Sequence, residues 1–209
     1  MLRRRAYALN NSHPIPERRR RIAWWISVVA HPFVLVPAGI LVVSVGRVGA
    51  ARAFGFVVAV LLMTIVPMAF YIRRRLRKGR FSDYDVSRQK DRPELFTFGL
   101  GLMALAAAVF WWTPGLRFLF PGTVAVTAMI VAAALINLWD KVSLHSAFAA
   151  YVVVFVAMTS PGLSIAGAVV ALAVGWSRVE LGRHTRRQVA LGLVLGTITG
   201  LGLLLALKR

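Results

Sequence analysis

The chain has 209 residues, of which 58% are hydrophobic and 16% are charged. This composition excludes a disordered chain, and it is too apolar for an ordinary soluble domain of this length. The net charge of +19 would suggest nucleic acid as the partner of a soluble protein, but the arginines cluster at the ends of apolar runs, so we expect anionic membrane lipids as partners and no nucleic acid.

The first 21 residues form a basic N-terminal segment, with arginines at positions 3–5 and 18–21. The apolar run that follows, 22–45, is longer than the apolar core of a signal peptide and has no small-residue cleavage site. We therefore expect a helix that is retained in the protein. It begins a single membrane-embedded domain over residues 22–209.

Apolar segments recur along that domain and predict an all-α transmembrane bundle of six to seven spans. Seven segments can be drawn: 22–45, 53–72, 95–112, 123–139, 144–159, 163–177 and 189–207. Most approach the roughly 20 residues that a helix needs to cross about 30 Å of hydrocarbon. The fifth and sixth are shorter, and we expect them to tilt little or to lie where the bundle thins the bilayer.

Small residues recur at every fourth position of the last two segments. The sixth has Gly167, Ala171 and Gly175, and the seventh has Gly192, Gly196 and Gly200. Such faces let helix backbones approach closely in lipid, so we interpret them as packing surfaces rather than catalytic features.

The basic residues predict which side of the membrane the loops face. With seven crossings, the N-terminus and the loops at 73–94, 140–143 and 178–188 share one side and hold 21 Lys and Arg residues against 5 on the other. By the positive-inside rule the richer side is cytoplasmic. We expect an integral protein of a bacterial inner membrane.

Three polar clusters lie on that same side, because two spans separate each consecutive pair. They are Arg88–Pro93 before the third span, Lys141–Ser146 at the start of the fifth, and the stretch 177–188 between the last two. Charge beside membrane spans is costly and commonly marks a functional site. The shared side allows the three clusters to form one joint site.

The residue types in these clusters suit phosphoryl transfer. Cations and a hydroxyl can neutralise and hydrogen-bond the non-bridging oxygens of a phosphate: Arg88, Lys90, Arg92, Lys141, Ser143 and Arg178. Of two histidines, one can attack phosphorus as a neutral imidazole and the other can protonate the leaving alcohol. His184 and Gln188 are four residues apart, so Gln188 can accept from the ring N–H and fix the tautomer.

At these positions the sequence resembles the type 2 phosphatidic acid phosphatase superfamily of integral-membrane lipid phosphatases. The family's third motif is Ser-Arg, five residues, His, three residues and Asp; Ser177, Arg178 and His184 match it, with Gln188 in place of Asp. The second motif, Pro-Ser-Gly-His, is here Val142-Ser143-Leu144-His145. The first motif, Lys, six residues and Arg-Pro, keeps Arg92-Pro93 and has Asp85 in place of Lys.

A divergent bacterial branch of the superfamily is similar in further residues. It has a Lys-x-Ser-x-His second motif, which Lys141, Ser143 and His145 match, and a His-Pro pair in its first helix, which His31-Pro32 matches. The string from His184 to Gly192 is also similar. The resemblance extends over most of residues 22–196.

The resemblance implies a role for each matching residue. His184 is the nucleophile that forms a phosphohistidine, and His145 is the general acid. Arg92, Arg178 and Ser143 bind phosphate. Asp85 stands where the family has a phosphate-binding lysine, and we expect Arg88, Lys90 or Lys141 to bind phosphate in place of that lysine. The family needs no metal or cofactor, so we expect none.

The expected activity is hydrolysis of a lipid or polyprenyl phosphate or diphosphate monoester at the membrane. Two alternatives stay open: a silent member that binds or moves anionic lipids, and a phosphotransferase that uses an alcohol in place of water. Asp83, Asp85 and Asp91 are expected to neutralise nearby arginines rather than to bind metal. His31 before Pro32 is expected to mark a kink in the first span.

Overall fold

A computed structural model describes residues 16–208, so the arginines at 3–5 lie outside the described residues. The described chain is helical throughout, which confirms the predicted all-α class. Its helices are α1 Glu17–Val29, α2 Pro32–Val48, α3 Ala50–Arg77, α4 Arg92–Trp112, α5 Phe120–Ile136, α6 Leu144–Ala157, α7 Pro161–Glu180 and α8 Arg186–Leu207. Short 3-10 turns, Gln89–Asp91 and Pro114–Leu119, lead into α4 and α5, and a π-helical turn, Leu61–Ile65, lies within α3.

Five helical stretches are long and apolar enough to cross a membrane: α3, α7 and α8, and α4 and α5 each together with the 3-10 turn that leads into it. The pair α1 and α2, bent by 49°, would be a sixth span. Helix α6 has 14 residues and so extends about 21 Å, which is short for a full span. The described residues thus hold five to six candidate spans, one fewer than the predicted six to seven. Helix α7, with 20 residues, is longer than the segment predicted at 163–177.

The first predicted segment is divided at His31. Pro32 begins α2 and has no backbone N–H to continue α1, and a residue before proline avoids helical backbone angles. The Nδ1 atom of His31 accepts a hydrogen bond from the backbone N–H of Phe33 at 3.1 Å, which caps α2. The expected kink is therefore a break between two helices.

Helix α6 packs against α2, α7 and α8, and its contact with α8 is the most extensive. Gly192, Gly196 and Gly200 are buried on the α8 face that meets α6. A Cβ atom on Gly196 would overlap the carbonyl oxygen of Ala147, and one on Gly200 would lie 2.6 Å from the Cβ atom of Val154. The predicted packing role of these glycines is confirmed.

The loop of residues 78–91 joins α3 to α4 and folds back against the bundle. The Asp83 carboxylate accepts hydrogen bonds from the backbone N–H groups of Asp85 and Ser87, which closes a tight turn. Val86, the next residue after Asp85, has a φ of 46° and a buried side chain. Positive φ is unusual for a β-branched residue, so the turn is strained at this position.

Candidate functional site

The three polar clusters converge at one end of the bundle, as their shared side predicts. Arg92, at the start of α4, is buried, and its Nη1 donates to the carbonyl oxygen of Val142 at 2.8 Å. Its Nη2 lies 3.4 Å from Nε2 of His184. One side chain therefore contacts both of the other clusters.

His184 is buried just before α8, and hydrogen bonds order its ring. Its Nδ1 lies 3.3 Å from Oε1 of Gln188, and the Nε2 amide of Gln188 donates to the Asp140 carboxylate at 2.8 Å. Because the carboxylate can only accept, it directs the Gln188 amide nitrogen to itself and the amide oxygen to His184. The ring proton then lies on Nδ1, and Nε2 keeps its lone pair facing Arg92.

Asp140 is a site residue that the sequence reading missed. Gln188 lies between Asp140 and His184: its amide oxygen faces the His184 ring and its amide nitrogen donates to the Asp140 carboxylate. In the sequence, the one feature that pointed to a role for Asp140 in the site was its position directly before Lys141. Its hydrogen bond from Gln188 lowers the pKa of the Asp140 carboxyl group, so the group is ionised at neutral pH.

Burial lowers the pKa of His184 to about 3, and the nearby charges of Arg92, Arg178 and Lys141 act in the same direction. The imidazole is therefore neutral at physiological pH, as a nitrogen nucleophile must be. Burial, followed by the charge of Arg92, also lowers the pKa of Lys141.

Arg178 is the most deeply buried cation of the group, with 1% of its surface exposed. Its Nη1 donates to the Ser27 hydroxyl at 2.6 Å, and its Nη2 donates to Oδ2 of Asp85 at 2.8 Å. The remaining donor, Nε, is buried and has no hydrogen-bond partner among the described residues. Ser27 belongs to α1, so α1 helps to position this guanidinium.

His145 lies in the first turn of α6 and is buried beside the helix break. Its ring meets the His31 ring edge-on, with 4.7 Å between centroids. Its Nε2 lies 3.8 Å from Oδ1 of Asp85 and has no hydrogen-bond partner among the described residues. His31, Asp85 and His145 offer atoms within 4.8 Å of one another that could ligate a metal ion.

The other predicted phosphate ligands lie in different surroundings. The Ser143 hydroxyl is fully buried and caps α6 by accepting from the backbone N–H of Ser146 at 3.3 Å. Lys141 lies between two loops, where its Nζ donates to carbonyl oxygens of Ser87 and Arg183. Two further candidates are exposed and lie outside the buried group: Arg88 and Lys90.

Two of the three aspartates pair with arginines, as expected. Asp85 pairs with Arg178, and Asp83 lies 3.6 Å from Nη1 of Arg183. Asp91 differs, because its Oδ2 atom is buried and has no hydrogen-bond partner among the described residues.

An apolar cavity of about 640 Å³ begins beside His145 and runs along the inside of the bundle. His31, Asp85 and His145 line one end of it, and Arg47 and Lys208 line the other. Between these ends the walls are aliphatic and aromatic side chains from α2, α3, α4, α5, α6 and α8. The volume is within the usual range of small-molecule sites.

In comparisons with known proteins, no family model, no curated protein and no solved structure matches the chain.

Proposed function

We propose that the protein hydrolyses a phosphate or diphosphate monoester carried on a lipid or polyprenyl tail. The observation that supports the proposal most is a buried cluster of two arginines and two histidines, Arg92, Arg178, His145 and His184, of which His145 lines one end of an apolar cavity. Arginine side chains suit the oxygens of phosphate, and the cavity suits a hydrocarbon tail. A polar head and an apolar tail on one ligand would fill both parts.

The proposed reaction begins with attack by Nε2 of His184 on phosphorus. A nitrogen–phosphorus bond forms, the bond from phosphorus to the leaving oxygen breaks, and the protonated form of His145 gives that oxygen its proton. Water then attacks phosphorus, the nitrogen–phosphorus bond breaks, and His145 takes a proton from the water, so inorganic phosphate leaves and His184 returns to its neutral form. Arg92 and Arg178 stabilise the charge on the phosphoryl oxygens in both steps. This route uses no metal or cofactor.

Gln188 and Asp140 support the orientation of the nucleophile in this scheme. The carbonyl oxygen of Gln188 accepts the Nδ1 proton of His184, and the Asp140 charge is transmitted only through the amide. We expect weaker stabilisation of the positively charged ring than a directly bonded carboxylate would give.

A silent protein that binds anionic lipids is the second candidate, and one contact favours it. The Asp85 carboxylate is bonded to Arg178 at 2.8 Å, so one of the two buried guanidiniums is already neutralised. A lipid headgroup could bind the rest of the cluster without being cleaved.

Phosphate release separates these candidates. The purified protein in detergent is assayed with phosphatidate, phosphatidylglycerol phosphate and polyprenyl phosphates and diphosphates. We expect release by the wild type and a loss of about a thousandfold or more in His184→Ala, since the nucleophile is removed. The matched control is Arg186→Ala, an exposed cation two residues away, which should retain wild-type release.

Equal background release of phosphate by wild type and His184→Ala would contradict the proposed hydrolysis. It would favour a protein that binds anionic lipids without cleaving them. Adding a competing alcohol tests the phosphotransferase: transfer of the phosphoryl group to that alcohol in preference to water would replace hydrolysis as the reaction.

A further inference from the structure

The carboxylate of Asp85 occupies a position in which an anion is held between two site residues. Its Oδ2 accepts from Nη2 of Arg178 at 2.8 Å, and its Oδ1 lies 3.8 Å from Nε2 of His145. The same side chain lines the end of the apolar cavity, beside His31. A phosphate at the head of a lipid lying in this cavity would need this position.

We propose that Asp85 is an internal competitor for the phosphate-binding position, and that the substrate headgroup displaces it to bind. That the incoming anion is a phosphate monoester rests on the proposed function. That Asp85 occupies an anion position rests only on its contacts with Arg178 and His145. The loop of residues 78–91 thereby regulates access to the site.

The Asp85 carboxylate leaves some hydrogen-bond donors around it without a partner. Nε and Nη2 of a guanidinium point to the same side and can bind two oxygens of one anion, yet Asp85 takes only Nη2. Nε of Arg178 and Nε2 of His145 are both buried and have no hydrogen-bond partner among the described residues. A phosphate has more oxygens than a carboxylate, so it can reach the donors that Asp85 leaves unpaired.

The backbone next to Asp85 holds the second arginine as well. The carbonyl oxygen of Val86 accepts from Nε of Arg92 at 3.3 Å. Movement of these two loop residues would therefore release donors on both Arg92 and Arg178. The strained φ of 46° at Val86 favours such a movement, because leaving this conformation relieves the strain.

A metal ion held by His31, Asp85 and His145 is the competing interpretation of the same three side chains. Two contacts disfavour it. Nδ1 of His31 accepts from the Phe33 N–H, so the neutral ring has its proton on Nε2 and no free lone pair for a metal. The Asp85 charge is already paired with Arg178, whose own charge would repel a cation.

Inorganic phosphate tests the proposal on the full chain in detergent, by isothermal titration calorimetry. We expect Asp85→Asn to bind phosphate about tenfold or more tightly than the wild type, because it removes a competing charge from beside Arg178. The matched control is Glu94→Gln, which removes a carboxylate that pairs with Arg75 and lies outside the loop of residues 78–91, and which should leave phosphate affinity near the wild-type value. Unchanged or weaker binding by Asp85→Asn, or an equal gain in Glu94→Gln, would overturn the proposal.

Thermal unfolding gives a second measurement if Asp85→Asn is poorly stable, since the variant leaves Arg178 without its ionic partner. Added phosphate should then raise the unfolding temperature of Asp85→Asn more than that of the wild type. An equal or smaller rise would contradict displacement. Tighter phosphate binding by Asp85→Asn in a protein that hydrolyses no lipid phosphate would support this inference while contradicting the proposed hydrolysis.

Cobalt(II) distinguishes the metal interpretation. Uptake of one Co²⁺ per wild-type chain with visible d–d absorption, lost in both Asp85→Asn and His31→Asn, would overturn the proposal. Asn at position 31 can still cap α2, so the second variant removes a ligand and keeps the helix start. No such absorption in the wild type supports the proposal.

Discussion

At the scale of single residues, the site depends on neutral histidine held among cations. His184 is buried beside Arg92, and its ring is ordered by Gln188. Burial keeps the ring neutral at neutral pH, as the proposed nucleophilic role requires, and it makes protonation of the ring costly to the fold.

The lowered pKa of His184 predicts how stability depends on pH. The folded pKa of about 3 lies below the ordinary value of 6.5, so the unfolded chain binds a proton more readily. Stability is therefore fully present above pH 6.5 and falls as the pH decreases towards 3, at about 1.4 kcal/mol per unit of pH from this group. Thermal unfolding from pH 7 to 5 should show a steeper loss for the wild type than for His184→Gln. Equal slopes in the two proteins would contradict the assignment.

Asp140 offers a second prediction at this scale. Asp140→Asn gives Gln188 a neighbour that can donate, so the Gln188 amide is free to turn and present its NH₂ group to His184. We expect the rate of phosphate release to fall about tenfold, with little change in stability. Arg187→Ala is the control, because it removes the ionic neighbour of Asp140 at 3.6 Å and leaves Gln188 in place. A wild-type rate in Asp140→Asn would show that this chain of hydrogen bonds has no role.

At the scale of helices, the contact of α6 with α8 positions the site. The α8 glycines bring the two backbones close together, and Ser143 donates its backbone N–H to the carbonyl oxygen of Gln188 at 3.1 Å. The first turn of α6, with His145, is thereby fixed relative to the first turn of α8.

Alanine substitutions in α8 test this packing. Gly196→Ala should destabilise the protein by about 3 kcal/mol or more, since its Cβ overlaps backbone atoms of α6 that cannot move alone. Gly202→Ala, on the same helix with nothing within 4 Å of its Cβ, should be neutral or slightly stabilising. The comparison uses thermal unfolding in the same detergent. Similar losses in both would indicate that the helix contact is looser than described.

At the scale of the whole molecule, the cluster lies at one end of the bundle and the cavity runs towards the other. Helix α8 connects the two ends, since it begins beside His184 and ends at Leu207, next to the cavity residue Lys208. A lipid in the cavity would lie roughly along the membrane normal, with its head near the basic loops.

Single-cysteine labelling tests this orientation, because the chain has no cysteine of its own. Intact cells that carry Ser82→Cys or Lys208→Cys are treated with a membrane-impermeant thiol reagent, which reaches only the outer side. We expect one of the two positions to be labelled and the other to be protected. The positive-inside rule predicts that position 82 is cytoplasmic. If position 82 is labelled from outside, the arginine count reflects the site rather than the topology, and the site faces outward. Labelling of both positions from one side would contradict a crossing α8.

Local features of the sequence were sufficient for the helices and for most of the site. Apolar runs near span length predict helices because lipid requires every backbone group to be satisfied within the segment. The residue spacing from Ser177 to Gln188 placed His184 beside Gln188, and the shared side of three clusters predicted one joint site, in which the structure brings Arg92 to His184. The short α6, Leu144–Ala157, matches the segment predicted at 144–159, whereas the ends of α7 were less predictable because helix ends depend on packing and capping.

The pairings between distant segments were decided only by tertiary structure. Asp85 meets Arg178 across 93 positions of sequence, and Asp140 meets Gln188 across 48. No periodicity encodes such contacts, because they depend on how the loop of residues 78–91 folds back and on where each helix ends. The sequence by itself determined a helical membrane protein with a cluster of arginines and histidines at one end. The tertiary structure decided that Asp85 occupies the anion position of that cluster, because folding brings its charge to the buried charge of Arg178.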